Sequence, residues 1–176
     1  MGVHPFDEEV QLLNELITKQ PKLMLRLDAN GAWTYDQART ICDALSGASD
    51  LIIEQPLDPR DLRGLDTLQN NTSHIIALDE SLVFDEQAAL DTSCKQCVVK
   101  PMYMGGLRQS QLFVAKAQAL QKSICVTHVL ESEVGRAGAL HFAAGVNDKG
   151  PHGVADPLRY EASVRIPDTV GHGILQ

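Results

Sequence analysis

An α/β fold of repeated strand–helix units, forming part of a parallel (β/α) barrel, is predicted by three features of this 176-residue sequence. Acidic residues close apolar runs: Asp28 follows Leu23–Leu27, Glu54 follows Leu51–Ile53, and Asp79 follows Ile75–Leu78. Lys100 closes Cys97–Val99 in the same way, and the four positions lie 26, 25 and 21 residues apart. A strand, a loop and a helix together consume about 25 residues, so the interval matches one βα unit. In a parallel barrel the residues that end successive strands at the C-terminal face point into one mouth. Three carboxylates there suit a hard cation, with an ammonium facing it.

The elements follow in order. Residues 7–20 read as a helix, with Asp7, Glu8 and Glu9 complementing its dipole and Val10, Leu13, Leu16 and Ile17 as its apolar stripe. Strand Leu23–Leu27 follows. Thr34 with Gln37 makes a capping-box pattern opening a helix to about Leu45. After strand Leu51–Ile53, Asp58-Pro59 reads as an N-cap and a first-turn proline, opening a short helix through Leu68. Strand Ile75–Leu78, a helix near Asp85–Leu90 and strand Cys97–Val99 come next. Gly105-Gly106 turns the chain into helix Leu107–Gln121, followed by strand Ile124–Val129 and helix Glu133–Ala144. Beyond Asn147 the sequence is rich in Gly, Pro and His, with one short strand expected at Ala162–Ile166. The total is five firm strands and about six helices, starting with a helix. A closed parallel barrel cannot start that way, so something upstream is missing, or the sheet is open or completed by a partner. No linker splits the chain, and residues 1–176 read as one barrel-domain segment.

Composition narrows the function classes. With 15 basic and 23 acidic residues the formal charge is −8, which argues against nucleic-acid or anionic-membrane partners. No apolar stretch approaches the ~20 residues of a membrane span, and MGVHPFDEEV is not a signal peptide, so a soluble cytoplasmic protein is expected. Four cysteines do not suggest a disulfide framework. Cys94 and Cys97 have CxxC spacing, but no second pair completes a zinc site, and Cys97 runs directly into a strand instead of opening a helix. The six histidines show no HxxxH or HExxH spacing, and His128 alone is expected near the mouth. Each acidic position also has a plainer reading: a turn at Asp28–Gly31, a solvated strand end at Glu54, a helix-capping pair at Asp79-Glu80. Their common register with Lys100 weighs against three coincidences.

Five segments together resemble the enolase superfamily: Arg26–Thr34 (RLDANGAWT), Ile53–Leu57 (IEQPL), Ala77–Leu82 (ALDESL), Val99–Leu107 (VKPMYMGGL) and Leu130–Gly135 (LESEVG). Within it they are similar to the muconate-lactonizing subgroup, and most of all to its o-succinylbenzoate-forming members. The resemblance implies about strands 3 to 8 of a TIM-type barrel, with the first strands and the capping domain absent. It implies Asp28, Glu54 and Asp79 as ligands of Mg²⁺ (Mn²⁺ as a substitute), and Lys100 as the catalytic ammonium across the mouth. Asn30 and Glu80 would orient these groups, and Arg26 and Ser132 would line the pocket of a small carboxylate substrate. The implied reaction is α-proton abstraction followed by dehydration, in menaquinone or phylloquinone synthesis. Dipeptide or N-acyl amino acid epimerases of the same superfamily share most of the pattern and would use Lys100 as a second base. The resemblance also calls for a K-x-K general base one βα unit before Asp28, just ahead of Met1; without it the isolated chain is expected to be silent, binding metal weakly or not at all. An unfilled barrel would expose strand edges and favour self-association.

Overall fold

The computed structural model describes residues 5–20, 22–48, 51–146 and 150–154, which contain five β-strands and seven helices. The strands follow chain order in the sheet, β1-β2-β3-β4-β5. The chain divides into two compact units, Met1–Gln96 and Cys97–Gln176. Among the described residues no helix is long and apolar enough to cross a membrane.

The first unit begins with α1 (Phe6–Lys19), whose first turn carries the expected acidic trio. Strand β1 (Leu25–Asp28) starts two residues later than the apolar run suggested. The N–H of Leu23 is turned back to the Gln20 carbonyl (3.0 Å), leaving Leu23 and Met24 exposed. Helix α2 (Tyr35–Ala44) has the full capping box: Gln37 N–H donates to Thr34 Oγ1 (3.3 Å) and Thr34 N–H to Gln37 Oε1 (2.9 Å). After β2 (Leu51–Glu54) the expected Asp58 cap is corrected. Asp58 accepts from Arg60 N–H in a turn, and α3 (Leu62–Asn70) is capped by Asp61, which accepts from Gly64 N–H at 2.9 Å. Strand β3 (Ile75–Leu78) leads into two five-residue helices, α4 (Glu80–Phe84) and α5 (Glu86–Leu90). Asp85 breaks them apart with extended backbone and caps α5 through Ala88 N–H (3.0 Å).

Parallel register gives this unit two unlike faces. Leu27, Ile53 and Ile76 pair across β1, β2 and β3 and are buried at 7% exposure or less. Ile41, Leu45, Leu65 and Leu68 of the helices are buried with them. The neighbouring row, Arg26, Ile52 and Ile75, points to the opposite face and is only half-buried.

In the second unit β4 (Gln96–Val99, its first residue closing the first unit) is followed by turns ending at Gly105 and Gly106, whose φ values of 83° and 100° favour glycine. Helix α6 (Leu107–Ala119) ends two residues before the expected Gln121, which takes the left-handed conformation that terminates helices. Strand β5 is Ser123–Val126, shorter than the expected Ile124–Val129. Beyond it Thr127 forms a parallel bridge with Gly153, and Val126 N–H donates to His152 Nδ1 at 3.0 Å. His128 therefore lies outside the strand, with Nδ1 2.7 Å from the Val129 carbonyl. Ser132 caps α7 (Glu133–Gly145). The strand expected at Ala162–Ile166 lies outside the described residues.

His74, just before β3, is 5% exposed, with Nε2 3.3 Å from the carbonyl of Cys42. Burial lowers its pKa, against a smaller opposing effect of that contact. A histidine held neutral in the fold contributes stability that is complete above its unfolded pKa of about 6.5 and is lost as pH falls through the folded value. The unfolding free energy from urea titrations should therefore fall below pH 6.5, by at most about 1.4 kcal/mol per pH unit from this one group. The His74→Gln variant should flatten that slope; an unchanged slope would assign it to other groups.

Candidate metal centre

Register decides which side chains meet. Asp28 pairs with Glu54, and Glu54 with Ala77, at the C-terminal ends of β1, β2 and β3. Asp79 lies two residues beyond Ala77, the spacing that returns a strand to the same face. The three acidic positions thus come from neighbouring strand ends of one unit, as the sequence spacing requires. Asp28 is exposed, whereas Glu54 and Asp79 are 6% and 4% exposed. As the side chains stand, no three His, Cys, Asp or Glu groups among the described residues are gathered tightly enough to hold a metal ion. Backbone placement supplies the set, and like-charged carboxylates stand apart. Three hard oxygen donors on one face fit a small divalent ion, and Glu54 keeps one oxygen, Oε1, without a described hydrogen bond.

Glu54 is held from one side. Arg26 Nε donates to Glu54 Oε2 at 2.6 Å, and Arg26 Nη1 donates to Gln96 Oε1 at 2.7 Å. The third nitrogen, Nη2, is buried with no hydrogen-bond partner among the described residues. Arg26, expected beside a substrate, is thus also tied to one of the expected metal ligands.

The other expected residues are placed as follows. Asn30 is exposed in the left-handed region (φ 48°), and its N–H donates to Asp28 Oδ1 at 3.0 Å, an Asx turn beneath that carboxylate. Glu80 opens α4 directly after Asp79, with Oε2 buried and unpartnered among the described residues. The Ser132 hydroxyl accepts from Gly135 N–H at 3.4 Å as the α7 cap. Lys100, in the second unit, closes β4 half-buried, its Nζ 6.0 Å from the centre of the Tyr103 ring. All four cysteines are buried thiols outside any disulfide, and Cys94 Sγ faces the Leu65 carbonyl.

Two further residues carry the arrangement: Gln96, already described, and Gln55. Gln55 follows Glu54, is fully buried, and sits at φ 37°. Its Oε1 accepts from the N–H groups of Asp79 (3.0 Å) and Ser81 (3.2 Å), while Nε2 donates to the Leu57 carbonyl (3.1 Å) and Ser81 Oγ (2.8 Å). One amide therefore joins the ends of β2 and β3 just where the acidic residues leave them. The signal was in the IEQPL segment, where a glutamine directly follows the acid. Gln96 showed only as a polar residue opening an apolar run.

A parallel βα array with carboxylates at the ends of neighbouring strands defines the class: a β/α-barrel-type scaffold. The chain belongs to the enolase C-terminal domain-like family, whose model matches residues 1–174. It is 33% identical over 125 residues to L-Ala-D/L-Glu epimerase of Bacillus subtilis, covering 68% of this chain and 34% of that protein. It is 28% identical over 183 residues to o-succinylbenzoate synthase of Desulfotalea psychrophila, covering 99% of this chain and 50% of that protein. The crystal structure of MenC from Desulfotalea psychrophila superposes with a TM-score of 0.82 at 28% identity, over 92% of this chain and 47% of that one. Muconate lactonizing enzyme from Pseudomonas putida shares the fold, at TM-score 0.76 and 22% identity over 86% of this chain and 44% of that one. The chain spans about a third to a half of the length of the curated relatives it matches. These likenesses bear out the expected partial TIM-type barrel of the enolase superfamily.

Gln55→Leu would leave the buried N–H groups of Asp79 and Ser81 unpaired, at about 1–3 kcal/mol each. A loss of at least about 2 kcal/mol in a denaturant titration is expected, and a loss under about 0.5 kcal/mol would contradict the role assigned to this amide.

Proposed function

We propose that this chain supplies the metal- and substrate-binding part of an enzyme that removes the proton α to a carboxylate, and that the reaction is of the o-succinylbenzoate synthase type. In it a succinyl-hydroxycyclohexadiene carboxylate loses water to give o-succinylbenzoate. The supporting observation is the reach of the likeness. The o-succinylbenzoate synthase relative aligns with 99% of the chain, whereas the two epimerases of highest identity align with 68% and 69%. Asp28, Glu54 and Asp79 would hold Mg²⁺, with Mn²⁺ as a substitute. That ion, when bound, supplies positive charge where the substrate carboxylate gains negative charge as its α-proton leaves.

The rest falls to the protein. Lys100 offsets negative charge with its ammonium. Asn30 and Glu80 orient the carboxylates, and Arg26 offers Nη2 to the substrate, with Ser132 at the pocket edge. In this reading the residues described bind and polarise, and none of them is assigned the removal of the α-proton. Epimerisation of a dipeptide is the second reading, favoured by the 33% identity to the epimerase of Bacillus subtilis. There Lys100 would move a proton.

Binding separates the readings without requiring turnover. Calorimetric titration should detect o-succinylbenzoate only when MgCl₂ is present, with L-Ala-L-Glu silent. Mg²⁺-dependent binding of the dipeptide alone would favour epimerisation, and binding of neither would overturn both readings.

We also propose that the chain associates with a second copy of itself. Strand β1 is at one end of the sheet order, and Leu12, Leu16, Leu23 and Met24 of the same unit are exposed. Sedimentation velocity should show a mass rising with concentration; a constant monomer mass from micromolar to hundred-micromolar protein would overturn the idea.

A further inference from the structure

Gln96 is 5% exposed and opens β4, a strand buried at all four positions. A glutamine there needs a polar partner, because an unpaired buried amide is costly. Its carbonyl oxygen takes Arg26 Nη1 at 2.7 Å, and the same guanidinium gives Nε to Glu54 Oε2 at 2.6 Å. Two bonds from two nitrogens of a planar, rigid group fix that group's position and its rotation. Glu54 is held through Oε2, leaving Oε1 without a described partner.

We propose that Gln96 is a positioning residue for the metal centre: it locks Arg26, and Arg26 in turn holds Glu54 with a single oxygen turned to a divalent cation. This deepens the functional reading and rests on Glu54 being a ligand of that cation. Outer groups of this kind hold ligands in the binding geometry before the ion arrives, and their loss weakens metal binding by about 10–100-fold. Without Gln96 the guanidinium is free to turn and follow both carboxylate oxygens. The cation then competes with Arg26 for Glu54.

The test is a titration of the 176-residue chain with manganese(II) chloride, following free Mn²⁺ by electron paramagnetic resonance and checking each variant by circular dichroism. Glu54→Gln should weaken binding by at least about tenfold, and Gln96→Leu by about tenfold. Gln96→Glu, which keeps an acceptor oxygen at the same reach, should stay within about threefold of the parent; a packing role alone would not give this rescue. Arg26→Lys keeps the charge but cannot serve both partners, so it should match the loss of Gln96→Leu, and it decides the matter should the leucine variant fail to fold. If Glu54→Gln weakens binding while Gln96→Leu and Arg26→Lys do not, the positioning role is overturned and the metal site stands. An equal loss in Gln96→Glu and Gln96→Leu also overturns it. If the parent binds no Mn²⁺, or Glu54→Gln binds like the parent, the metal reading falls and the positioning role with it.

Discussion

The pairing of β1, β2 and β3 at one parallel register is the constraint on which the rest of this protein depends. It places Asp28 beside Glu54 and brings Asp79 to the same face two residues beyond the Ala77 partner. Side chains alternate along a strand, so a slip of one residue would send Asp28 to the helix-covered face and bring Leu27 to the open one. The hydrophobic row Leu27, Ile53 and Ile76 forbids that slip, since each is nearly or fully buried. Core packing and site geometry are thus one choice.

Backbone register alone does not aim a carboxylate. Two buried amides add to it, each in its own way. Gln55 works on the main chain, binding the N–H groups of Asp79 and Ser81 where β3 turns into α4. Gln96 works through a side chain, steadying the Arg26 guanidinium against Glu54. Each is an expensive residue to bury, tolerable only because its polar atoms find partners with good geometry. The left-handed backbone of Gln55 adds a further cost at a position that glycine would occupy more easily. Glycine there could not bridge the two strand ends, as the glutamine amide does.

The sequence displayed the repeat because each acid stands at the end of an apolar run, and one βα unit has a nearly fixed length. Local hydrogen bonding was equally plain where both partners lie within four residues, as in the box of Thr34 and Gln37. Legibility failed where a second candidate stood nearby or the partner was remote. Asp58 and Asp61 are both good caps, and only the folded turn shows that the first serves Arg60 and the second Gly64. Strand β5 stops at Val126, short of the expected Val129: Thr127 still gives its N–H to the Val99 carbonyl (3.0 Å) but also bridges to Gly153, 26 residues on. The union of Arg26 with Gln96 spans 70 residues, and no local pattern announces it.

That remote union changes the meaning of Arg26. The family resemblance implied only that Arg26 lines the substrate pocket. Folded, it divides its donors among three directions: Glu54, Gln96 and, through Nη2, a direction with no described partner. A guanidinium bound twice to protein and once unbound is oriented before any ligand arrives, so an incoming carboxylate would meet a donor whose rotational freedom is already spent. The same bonds moderate the repulsion among the acidic groups. On the proposed reading, substrate anion and metal ligand would answer to one side chain. A change at position 26 would alter both together, whereas a change at position 96 reaches each only through the arginine it steadies.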